Sequence, residues 1–181
     1  YTWKRNIHSI FNAHINPGSL LLERIDVALI GAGRMGQVHG RNAARHPGLH
    51  LKYVVDPRAE AVDRFANEFG SLGVPLTQAL ADPDIGGVLI CSSTDQHLTH
   101  ALAAVAANKA IFCEKPIDLD LDKVRQAQSR FEGARFLLGF NRRFDPHFIR
   151  LKQQLDAGSI GRLETLHLIN HDPAAPPPGF V

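Results

Sequence analysis

"VALIGAGRMGQVHG", residues 27–40, decides how the rest of the chain is read. An apolar run at 27–30 meets Gly31, Gly33 and Gly36, spaced G-x-G-x-x-G, and the residues beyond them suit a helix. A run that is apolar at every position fits a strand buried on both faces. In such a turn the first glycine permits the tight bend, the second lets the main chain approach a diphosphate, and the third lets helix and strand pack closely. The helix start adds free N–H groups and the positive end of its dipole. The spacing alone is weak; its place between strand and helix gives it meaning. The expected diphosphate cradle is the main chain of Gly31, Ala32, Gly33, Arg34, Met35 and Gly36.

The same alternation continues outward. Apolar runs at 25–30, 49–55, 86–92, 110–113 and 135–140 are expected strands. Helical patterns at 34–46, 58–70, 77–83, 95–108, 120–132 and 146–158 separate or follow them, with Ser93 or Thr94 as an N-cap. Strands alternating with helices over short connections predict an α/β fold, a doubly wound parallel sheet of Rossmann type. That domain is expected over 25–140. Residues 141–181 then read as a linker helix and the first strand, 162–170, of a second, incomplete α+β domain; residues 1–24 read as a leader.

Function follows from the strand ends, because ligands of open parallel sheets bind outside the carboxyl edge. The second strand ends at Asp56, 20 residues beyond Gly36, where a carboxylate accepts hydrogen bonds from adenosine ribose hydroxyls and repels a 2′-phosphate. NAD is therefore expected over NADP, with Arg58 able to soften the preference. "CSSTDQH" (91–97), "CEKP" (113–116) and "GFNRRFDP" (139–146) place further polar groups on the same edge. Lys115 there can donate a hydrogen bond to a substrate hydroxyl oxygen and stabilise developing alkoxide charge; the competing possibility is a surface lysine paired with Glu114.

Composition excludes other classes. The net charge of +2 resides in residues 1–24, where Lys4, Arg5 and Arg24 stand against Glu23, so the body has no basic excess to suit a nucleic acid. No apolar run reaches the roughly 20 residues of a membrane span. Cys91 and Cys113 are too few for a disulfide framework and read as buried thiols of a cytoplasmic protein. His167, His171 and Asp172 are weighed as metal ligands and set aside for want of a fourth partner; no metal is expected.

"VALIGAGRMGQVH", "CSSTDQHLTHALAAVAANKAIFCEKPI" and "LLGFNRRFDPHFIRLKQQLDAGSIG" together resemble the Gfo/Idh/MocA oxidoreductases, especially the inositol 2-dehydrogenases. The resemblance implies NAD-dependent oxidation of a CH–OH group of a sugar or polyol, with Lys115 in the active site and Glu114 near the nicotinamide ribose. It implies that Ser92, Thr94 and His97 border the cofactor. Asn141, Arg143 and Asp172 would then face nicotinamide or substrate, and the full-length protein would be a homo-oligomer. It also implies a catalytic Asp and His in a second domain, beyond Val181, so that this chain would be an inactive amino-terminal fragment. "NHDP" at 170–173 departs from the S-R-D-P of inositol dehydrogenases, with His171 in place of arginine. A non-catalytic NAD-binding module is the alternative, and a biliverdin-reductase-like or dihydrodiol-dehydrogenase-like relative a third.

Overall fold

Each apolar run in the first 140 residues becomes a strand of one parallel sheet in the computed structural model, which describes residues 24–171. The order along the chain is β1 (Ile25–Ile30), α1 (Arg34–Ala44), β2 (Leu49–Val55), α2 (Ala59–Phe69), β3 (Leu72–Gly73) and α3 (Leu76–Ala81). Then come β4 (Ile85–Ile90), α4 (Thr94–Ala106), β5 (Ala110–Cys113), α5 (Leu121–Ala127), β6 (Phe136–Leu138) and α6 (Pro146–Asp156). In space the strands run β3-β2-β1-β4-β5-β6, all parallel, so the winding direction reverses between β1 and β4.

The side-chain period of two explains the continuous apolar runs. Along β1, Val27 and Leu29 join one buried cluster with Ala43 of α1 and Ala61 and Phe65 of α2. Ala28 and Ile30 point the other way, into a second cluster with Ala79 of α3 and Ala101 and Ala104 of α4. A strand covered on both faces has no polar side to display.

The amino edge of the sheet is closed by charge. Lys52 Nζ lies 2.9 Å from Asp82, 3.3 Å from Asp26 and 3.3 Å from Asp84, while Lys109 Nζ donates to the Asp82 carbonyl at 2.7 Å. The Asp82 hydrogen bond, larger than the opposing effect of burial, raises the Lys52 pKa.

The chain divides into two compact units, Tyr1–Asn141 and Arg142–Val181. In the second, Asp145 caps α6 by accepting from the His147 N–H at 2.8 Å, with Pro146 in the first turn. The expected strand at 162–170 does not form: these residues are exposed and make no ladder. An alternating segment becomes a strand only where a second edge supplies hydrogen bonds, and the one sheet of the described residues ends at β6. Two smaller differences concern ends. The helix expected at 120–132 stops at Ala127 and tightens into a 3-10 turn, Gln128–Phe131. Ser93 takes the N-cap position of α4 without a side-chain capping bond, whereas Asp120 caps α5 through the Asp122 and Lys123 N–H groups. The leader at 1–24 falls outside the described residues except for Arg24, and Asp172 falls outside them altogether.

Candidate functional site

Ladder hydrogen bonds run one residue past the strand ends. Gly31 N–H donates to Val55 O (2.8 Å), Cys91 to Ile30 (2.7 Å), Glu114 to Ile90 (2.9 Å) and Gly139 to Cys113 (2.8 Å). Gly31, Cys91, Glu114 and Gly139 therefore stand in a row along the carboxyl edge, which the winding reversal opens between β1 and β4.

The glycines of the first loop are demanded for different reasons. Gly31 has φ +88°, a left-handed conformation, and a Cβ there would collide with Cα and N of Ser92. A Cβ on Gly36 would strike the Gly31 carbonyl oxygen. Gly40, which the spacing does not mark, is confined by side chains instead of backbone: a Cβ would sit 2.7 Å from the Phe65 ring and 2.8 Å from Leu29. Gly33 is the exception. Its φ of −69° is open to any residue, and within 4 Å a Cβ would meet only one Arg58 nitrogen, at 3.9 Å. Neither backbone nor packing requires glycine there. The space is open at the start of α1, whose first turn has no side-chain cap. An α1 start bare of capping side chains beside an unfilled cradle fits a diphosphate. Around it Ala32 is buried, Arg34 exposed, and Met35 packs against the core.

Asp56 closes the loop from β2. Its Oδ2 accepts from Ala32 N–H (2.7 Å) and from an Arg58 terminal nitrogen (3.1 Å), and its Oδ1 from Arg58 N–H (3.0 Å) and Nε (2.9 Å). Burial pushes the carboxyl up, but the Arg58 side chain, the Ala32 N–H and the Arg58 N–H outweigh it and bring the pKa down to about 2. Asp56 is thus an anion at any ordinary pH.

Across the reversal, Ser92 Oγ pairs with His100 Nδ1 at 3.0 Å, and Thr94 is the half-buried first residue of α4. His97 is buried, with Nδ1 2.7 Å from Pro116 O and Nε2 3.0 Å from Ser92 O. Its ring lies against main-chain carbonyls on both sides. The Cys91 and Cys113 thiols are buried, and burial raises both, Cys113 to about 12, so neither is a nucleophile.

Glu114 is buried and turns to α1: its Oε1 is 2.6 Å from His39 Nε2, and its Oε2 accepts the Lys115 N–H at 3.2 Å. Burial raises this carboxyl, but the His39 hydrogen bond and charge, with the Lys115 N–H and charge, outweigh it and bring the pKa below the ordinary value. The Lys115 side chain is exposed, and the Lys115–Pro116 peptide is cis. Asn141 is exposed at the end of the first unit; Arg143, in the second, lies with its guanidinium 5.4 Å from the Phe144 ring. His39 stood inside the quoted motif, but nothing in its spacing pointed to Glu114, 75 residues away.

Residues 25–139 match a family described as an oxidoreductase family with an NAD-binding Rossmann fold, Gfo/Idh/MocA. The chain is 38% identical over 155 residues to inositol 2-dehydrogenase of Rhizobium meliloti, covering 84% of this chain and 47% of that protein. It is 35% identical over 162 residues to myo-inositol 2-dehydrogenase of Thermotoga maritima, covering 86% and 48%. The structure of scyllo-inositol dehydrogenase from Lactobacillus casei, solved with NAD(H) and scyllo-inositol, aligns with a TM-score of 0.72 at 30% identity, over 77% of this chain and 43% of that one. The chain spans about half the length of the curated relatives it matches. Over residues 25–139, which carry the glycine loop and the Glu-Lys-Pro segment after β5, it belongs to the Gfo/Idh/MocA family of NAD-binding oxidoreductases.

Proposed function

We propose that these residues are the cofactor half of an NAD-dependent polyol or sugar dehydrogenase close to the inositol 2-dehydrogenases. The observation that carries it is the space at Gly33, which no protein atom needs, beside the anionic Asp56. The main chain of residues 31–36 and the start of α1 bind the diphosphate, and Asp56 takes the adenosine ribose hydroxyls and disfavours a 2′-phosphate. Bound there, NAD supplies the hydride acceptor. Lys115 donates a hydrogen bond to the substrate oxygen that loses its proton, steadying negative charge as it develops. Ser92 and Thr94 border the cofactor, Glu114 lies toward the nicotinamide ribose, and Asn141, Arg143 and Asp172 serve the nicotinamide or substrate.

The three relatives described above are named as inositol dehydrogenases, which suggests a cyclic polyol as substrate. The proton acceptor and most substrate contacts are assigned to the part of the relatives' length that this chain does not span. The whole enzyme is a cytoplasmic homo-oligomer that does not bind nucleic acid. Among the described residues no helix is long and apolar enough to cross a membrane. Calorimetric titration of the chain with NAD and NADP tests the cofactor site: NAD binds more tightly, and tighter NADP binding removes the role given to Asp56.

A further inference from the structure

Lys115 lies on a short segment after β5, and its neighbours are held from two different helices. On the amino side the Glu114 side chain is gripped by His39 of α1 at 2.6 Å and returns its other oxygen to the Lys115 N–H at 3.2 Å. On the carboxyl side the Pro116 carbonyl is 2.7 Å from Nδ1 of His97, in α4, whose Nε2 reaches the Ser92 carbonyl at 3.0 Å. Both rings are buried, and that of His39 also packs on Phe112 with centroids 4.7 Å apart. Imidazole suits this work: it is flat and stiff, and carries polar atoms at two separated points of the ring.

Buried polar groups need partners wherever they lie, so satisfaction alone does not distinguish these bonds. Their placement does. Both histidines act on residues adjoining one exposed lysine, and one of them rides on the helix whose first turn is assigned the diphosphate above. A lysine side chain has many rotamers, and fixing its main chain on both sides sets the point and direction from which they start.

We propose that His39 and His97 are positioning residues that clamp the Glu114–Lys115–Pro116 segment, so that α1 and α4 together aim the Lys115 amine at the nicotinamide end of the site. The clamp rests on the NAD site proposed above. It predicts that losing either histidine weakens the grip on the nicotinamide half of the cofactor and spares the adenosine diphosphate half.

The test titrates the chain with NADH, by nicotinamide fluorescence, and with ADP-ribose, by calorimetry. In His39→Ala and His97→Ala, ADP-ribose affinity is expected to hold within about twofold while NADH affinity falls roughly tenfold, the scale of one lost hydrogen bond. His39→Gln, which keeps an N–H donor, recovers part of the loss. In a Lys115→Ala background neither histidine substitution changes the NADH to ADP-ribose ratio further. If the alanine variants do not fold, Glu114→Gln, which keeps side-chain volume, must show the same split. Equal loss of both ligands, no loss of either, or an undiminished histidine effect without Lys115 overturns the clamp and leaves the NAD site standing. A wild-type chain that binds ADP-ribose and not NADH overturns the clamp alone, and one that binds neither overturns both.

Discussion

The Arg58 guanidinium spans both oxygens of Asp56, with Nε 2.9 Å from Oδ1 and a terminal nitrogen 3.1 Å from Oδ2. With the Ala32 and Arg58 N–H groups, the carboxylate accepts four hydrogen bonds, its full capacity. Ribose hydroxyls must therefore displace the arginine side chain, which is 59% exposed and free to leave. Arg58→Ala is expected to raise NAD affinity about two- to fivefold, a surface ion pair being worth under ~1 kcal/mol, and to lower NADP affinity. Calorimetry with both cofactors checks this; a fall in NAD affinity would mean that the arginine contacts the nucleotide itself.

The glycines separate folding from binding. Gly33→Ala is expected to leave thermal stability within about 0.5 kcal/mol, since nothing blocks the added methyl. It should weaken NAD binding at least about tenfold, because the methyl occupies the cradle. Gly36→Ala drives a methyl into the Gly31 carbonyl and should cost several kcal/mol, of the order seen for overpacking. Thermal melts run beside NAD titrations distinguish the two.

Acid should loosen the loop early. Asp56, held to about 2, and Glu114, also lowered, bind protons less readily in the folded chain than in the unfolded one. Their stabilisation is complete above the unfolded carboxyl range and drains away as pH falls from about 5 toward 2. Asp56→Asn should lose about 1–2 kcal/mol at pH 7, discounted for the exposed arginine, and show a flatter decline between those limits. Urea unfolding followed across that range measures both.

Lys115 is expected to matter for chemistry and not for folding. Being exposed, it should tolerate alanine with a stability change under about 0.5 kcal/mol. In the whole enzyme the same substitution should lower polyol-dependent NADH formation by roughly 10²-fold or more. The 181-residue chain alone is expected to form no NADH from a polyol, because the proton acceptor proposed for the reaction lies outside it.

Much of this was legible beforehand, for identifiable reasons. Strands buried on both faces announce themselves as unbroken apolar runs, and the cradle as glycines in register with a strand and an acid. β3 was illegible because two exposed residues, Leu72 and Gly73, carry no pattern. The segment at 162–170 forms no strand here because alternation records where a strand can form, while partners decide whether it does. His39 escaped for a third reason, as did the Pro116 partner of His97, a residue that the family resemblance had set beside the cofactor. A histidine bonded to a carboxylate 75 residues away, or to a carbonyl 19 away, leaves no local trace. Glu114 looked like a natural ion-pair partner for Lys115, yet its side chain serves another helix.

The cluster of Asp26, Asp82 and Asp84 around Lys52 bolts shut the end of the sheet remote from the glycine loop. Rigidity and chemistry are thereby assigned to opposite poles of one scaffold. The loops above β4, β5 and β6 can change sequence without loosening the anchorage below.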